Sequence, residues 1–132
     1  MKKSIANKWV EALRSGKYQQ AKGKLVVFDE EHEKAVGFCC LGVLGAVCGI
    51  ELTDLERRGS LRDTRREQCG LSDAYGAPYN DEMEPLKIVL SVKDEETGEK
   101  VKTEFRDLAE ANDNGASFET IATWIEKNYK NL

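Results

Sequence analysis

Residues 37–50 read GFCCLGVLGAVCGI and hold three of the chain's four cysteines in an almost wholly apolar run. Counted from Val36, the uncharged stretch is about fifteen residues long with four glycines, short of the ~20 apolar residues that cross a bilayer. It predicts a buried element, and a central helix in particular. Gly42, Gly45 and Gly49 fall at i, i+3 and i+7, on one helical face. Glycine costs a helix about 1 kcal/mol relative to alanine, which suits a face that another backbone approaches closely.

Upstream, Ile5, Trp9, Ala12 and Leu13 repeat at helical period and predict a first helix over 4–15, with Ser4 as N-cap and Gly16 as stop. KLVVF (24–28) and KAVGF (34–38) flank the acidic tip DEEHE and predict a β-hairpin. Downstream, 51–69 predicts one or two short helices, with Gly59 as a break and Ser60 as a second N-cap. Residues 70–86 form a long polar loop with two tyrosines and two prolines, and long loops in compact domains are often functional. LKIVLSV (86–92) and KVKTEF (100–105) alternate as a second hairpin around DEETGE. NDNG breaks the chain before a final helix capped by Ser117, with Phe118, Ile121, Ala122, Ile125 and Tyr129 inward.

A chain of 132 residues fits one domain, 1–132, that buries roughly two thirds of its unfolded surface. A net charge of −4 argues against non-specific nucleic-acid or membrane binding as a driving force. The first residues, MKKSIANKWVEALRSG, put no apolar stretch behind their lysines, which predicts no secretory leader, a cytoplasmic setting and free thiols.

Cysteine packs as a small hydrophobe, and that is the leading reading of Cys39, Cys40, Cys48 and Cys69. Zinc fits poorly, because no pair has C-x2–4-C spacing and the chain has one histidine; no metal or other cofactor is expected. The catalytic alternative places Cys39 or Cys40 at the start of the central helix, where the dipole favours a thiolate, with His32 as base. It requires the hairpin turn carrying His32 to fold back.

Arg57, Arg58, Arg62, Arg65 and Arg66 bring five of the seven arginines within ten residues. In a helix, Arg62, Arg65 and Arg66 form one basic stripe, although Asp63, Glu67 and three other acids between 51 and 67 allow local pairing. Tyr75 and Tyr79 lie in the following loop. Arginine beside aromatics grips nucleotides by phosphate and by stacking, and the same residues dominate protein–protein hot spots. No P-loop, dinucleotide fingerprint, zincin helix or nucleophile elbow is present.

Three stretches carry a resemblance. KWVEALRSGKYQQAKGKL (8–25), GFCCLGVL (37–44) and LAEANDNGASFETIATWIEKN (108–128) resemble segments of small, mostly uncharacterised bacteriophage and prophage proteins. In that group another cysteine commonly follows the CCLGVL block, where this chain has Gly45, and a leucine commonly stands at Ala111. The resemblance implies a phage-type origin in a bacterial host and carries no activity.

The sequence therefore predicts an α+β domain: antiparallel sheet from two hairpins, packed with a buried glycine-rich helix and the terminal helices. Its expected role is binding, in counter-defence, with an anionic nucleotide or a host protein as ligand; a homo-oligomer is compatible. The alternative is a cysteine-dependent enzyme.

Overall fold

The structure is a computed structural model that describes residues 1–57, 60–62 and 64–132. Six helices and two hairpins are described. In chain order they are α1 (Lys3–Arg14), β1 (Val26–Phe28), β2 (Ala35–Phe38), α2 (Cys40–Val47), α3 (Leu52–Arg57), α4 (Thr64–Cys69), β3 (Ile88–Lys93), β4 (Lys100–Phe105), α5 (Leu108–Asp113) and α6 (Phe118–Asn128), closed by a 3-10 turn, Tyr129–Asn131. The architecture is α+β. Each hairpin stands as its own two-stranded antiparallel sheet.

The quoted run is the core helix. Residues 40–45 of α2 are all buried, and α2 packs against α1, α3, α4, α5 and β2. Cys39 caps it: its sulfur accepts the Gly42 N–H at 3.4 Å. The helix ends in a Schellman arrangement, with Gly49 N–H on the Ala46 carbonyl and Ile50 N–H on that of Gly45. Gly49 has φ +83°, a left-handed conformation that favours glycine.

The three glycines do not share a neighbour. A Cβ on Gly42 would run into the Leu25 carbonyl, so the strand-side backbone touches the helix there. A Cβ on Gly45 would sit 2.7 Å from Leu55 Cδ2. Gly49 lies past the last turn and serves termination instead.

The terminal helices close one side. Ala6, Trp9, Val10 and Leu13 of α1 are buried, as are Phe118, Ile121, Ala122 and Ile125 of α6. Arg14 fastens the pair, reaching Glu119 at 3.1 Å and Glu126 at 2.9 Å. α6 is capped by Ser117, whose hydroxyl accepts the Thr120 N–H, as the sequence predicts. It covers β3, whose Ile88 and Leu90 point inward. α1 differs slightly from expectation: it starts at Lys3, so Ser4 lies inside the first turn and does not cap.

The three stretches quoted for the resemblance meet in space. Trp9 Nε1 donates to the Cys40 carbonyl at 2.8 Å. Gln20 Nε2 donates to Asn112 Oδ1 at 2.9 Å, and the same oxygen accepts the Cys40 N–H at 3.1 Å. Asn112 Nδ2 donates to the Ala21 carbonyl at 2.8 Å. A wholly buried asparagine thus satisfies backbone from two other segments, as a buried amide must.

Candidate functional site

α5 builds one wall of a cleft of about 580 Å³, opposite Gly23, Leu25, Cys39 and Leu41. The helix starts where Asp107 accepts the Glu110 N–H at 2.7 Å. Glu110 reaches back to accept the backbone N–H of Arg106, the residue before the N-cap, at 2.8 Å. Asp113 accepts the Gly23 N–H at 2.8 Å and so ties the two walls together. Burial pushes the Asp107 carboxyl up, whereas the Arg106 backbone N–H and then its guanidinium hold Glu110 below the usual range.

Tyr75 borders this cleft from the 70–86 loop. Its loop is stitched onto α5 through backbone: Leu108 N–H donates to the Gly76 carbonyl and Ala109 N–H to that of Tyr75. Gly76 permits the approach: its φ is +76°, and a Cβ there would stand only 3.0 Å from that of Leu108. Arg62 Nη2 donates to the Tyr75 hydroxyl at 2.8 Å. Its guanidinium carbon lies 5.9 Å from the ring centre, at the outer reach of a cation–π contact, so the hydrogen bond is the stronger tie. Arg62, followed by Ser60, lowers the hydroxyl's pKa.

The other arginines do not join it. The expected stripe fails because α4 begins at Thr64, leaving Arg62 and Ser60 outside the helix and Ser60 in no capping position. Arg65 faces Asp54 of α3 at 2.8 Å, and Arg66 donates to the Ser72 carbonyl at 3.0 Å. Arg57 is exposed in α3. Arg58, Gly59 and Asp63 lie outside the described residues. Tyr79 is half-buried, its N–H bonded to the Asn131 carbonyl and its backbone bridged to Pro85, away from the cleft lining.

Cys39 and Cys40 are positioned for packing. Cys39 is 5% exposed and Cys40 fully buried. Burial pushes the Cys39 thiol to about 11, outweighing the N–H groups at the helix start, and pushes Cys40 well up. The Cys40 thiol donates to the Leu108 carbonyl at 3.5 Å. His32 sits on the exposed hairpin turn, stacked on Phe28 at 5.4 Å and 2.8 Å from Glu56. The structure therefore gives these three residues separate partners and forms no thiol–imidazole pair.

The model of a protein family, a domain of unknown function designated DUF8296, matches residues 1–129. The chain belongs to this family. No curated protein and no solved structure matches it. The DUF8296 match spans both cleft walls and the Asn112 hub. No group of three or more metal-ligating side chains occurs among the described residues, and no helix there is long and apolar enough to cross a membrane.

Sequence reasoning names Cys39, Arg62 and Tyr75 here and misses Arg106, Asp107, Glu110 and Asp113. The readable signal for α5 was D-x-x-E at 107–110, an N-terminal capping pattern.

Proposed function

We propose that this DUF8296 chain is a phage-type accessory protein that acts by binding a host protein, in counter-defence. The phage assignment rests on the resemblance of 8–25, 37–44 and 108–128. The observation that carries the binding reading is the Arg62–Tyr75 pair at the edge of the cleft: Tyr75 is 38% exposed and its hydroxyl is held by the guanidinium. A pre-oriented aromatic beside arginine is the composition of interface hot spots, and fixing it beforehand lowers the ordering cost of binding.

Charge favours a protein segment over a nucleotide. Among the described residues that line the cleft, Asp107, Glu110 and Asp113 outnumber the basic Arg106, while Arg65 and Arg66 are held by Asp54 and Ser72. Such a wall suits a basic side chain flanked by apolar ones and repels phosphate.

The test compares wild type with Tyr75→Ala and Arg62→Ala as immobilised bait in bacterial lysate, alongside native mass spectrometry with nucleotides. The reading expects a host protein held by wild type and weakened at least about tenfold by Tyr75→Ala, the size of a hot-spot loss. Partners retained equally by all three baits overturn the site, and a retained nucleotide overturns the choice of ligand.

A further inference from the structure

Two thiols outside the cleft stand together. Cys48 is the C-cap of α2 and Cys69 the last residue of α4. α2 and α4 pack together; the adjacent Gln68 Nε2 donates to the Cys48 carbonyl at 2.9 Å, pinning the two helix ends together, and the two thiols are side-chain partners there. Cys48 is half-buried and Cys69 fully buried, so an oxidant reaches one sulfur and finds the other behind it.

We infer that Cys48 and Cys69 form a dithiol redox site, in which a hydroperoxide oxidises Cys48 and Cys69 resolves it to an intramolecular disulfide. The Cys48 sulfur attacks the hydroperoxide, the O–O bond breaks, and an alcohol or water leaves as Cys48 becomes a sulfenic acid. Cys69 then attacks that sulfur; the S–S bond forms, the S–O bond breaks, and water departs with the thiol proton. Two thiols lose two electrons and the hydroperoxide gains them.

Exposure divides the roles: Cys48 is half-buried and Cys69 wholly buried. The Cys69 S–H first, and the Lys8 ammonium after it, hold the Cys48 thiol below its ordinary range against a partial burial effect. The bond to Cys48 and burial raise Cys69. A low, reachable thiol beside a resolving one is the arrangement of redox-sensor cysteines. Cys39 and Cys40 lie buried at the other end of α2 and are spared. The disulfide would tether the segment that carries α3 and the arginines from Arg57 to Arg66.

The measurement is thiol counting and peptide mapping after brief treatment with hydrogen peroxide. Free thiols fall from four to two, with a Cys48–Cys69 crosslink reversed by dithiothreitol, and the melting temperature rises by about 5–10 °C. Cys69→Ser stops at a sulfenic acid on Cys48 that dimedone traps, while Cys48→Ser yields no adduct on Cys69. Four thiols surviving in the wild type, or a crosslink to Cys39 or Cys40, overturns the assignment; so does dimedone labelling of Cys69 in Cys48→Ser.

Discussion

Asn112 Oδ1 accepts the backbone N–H of Cys40 at 3.1 Å across 72 positions of sequence. One side-chain oxygen from α5 thereby binds an N–H at the start of the core helix, a donor that no turn of the helix can satisfy. Gln20 shares that oxygen and also donates to the Ala116 carbonyl at 2.8 Å.

Removing the hub should be costly. Asn112→Ala leaves the Cys40 N–H and the Ala21 carbonyl without it, an expected loss of about 2–4 kcal/mol. Urea titration reads it as a lower midpoint at unchanged slope. Asn112→Asp should rescue little, since an oxygen then faces the Ala21 carbonyl.

Two glycines of α2 should respond differently to the same methyl group. At Gly42 the methyl meets Leu25 backbone, which cannot yield, and Gly42→Ala should cost about 3 kcal/mol or more. At Gly45 it meets the end of the Leu55 side chain, and the helix gains roughly 1 kcal/mol in propensity. Gly45→Ala should stay within about 1 kcal/mol of wild type. Equal losses in thermal melts would contradict the division of roles.

Alkali should weaken the fold through Cys39. Its thiol ionises near 9.0 when unfolded and at about 11 when folded, so between those values the folded state binds more protons. Its contribution is complete below pH 9 and lost as pH rises through 11, at up to about 1.4 kcal/mol per pH unit. Cys40 adds to the loss with the same sign. Stability curves for wild type and Cys39→Ala isolate the effect: the variant's alkaline slope should be shallower.

Met83 has φ +62° on an exposed loop tip and is 70% exposed. Asn80 holds that tip, accepting the Glu82 and Glu84 N–H groups at 2.9 Å. Met83→Gly should therefore raise stability by roughly 0.5–1 kcal/mol, since little packing is lost and the left-handed strain is relieved. A lower melting temperature for the variant would show that the side chain packs.

Helices with a strong 3.6-residue stripe were legible in the sequence. Trp9 and Leu13 mark α1, Ile121 and Ile125 mark α6, and the even-numbered residues of 88–92 mark β3. The core helix was legible as buried, but its glycine neighbours were not, because which element meets Gly42 or Gly45 is a long-range matter. α5 escaped notice because it is six residues long and runs into NDNG, whose turn signal dominates so short a window. The Arg62 stripe was misread because a helical register is only as good as its first residue, and α4 starts two positions later. Tyr75 was legible as a type of residue; its place beside α5 depends on the backbone bonds to Leu108 and Ala109.

The Asn112–Cys40 bond also sets an order on biosynthesis. α2 has eight residues, two of them glycine, too short and too weak a helix to persist alone in water. Its partners Trp9 and Leu25 emerge from the ribosome before it, whereas Asn112 and Leu108 follow by about seventy residues. Throughout that interval CCLGVL is an apolar segment without its lid, the kind of surface that chaperones cover and that aggregates when they do not. A nascent chain stalled short of residue 112 should therefore crosslink to ribosome-associated chaperones through this block, and release them once α5 has been made.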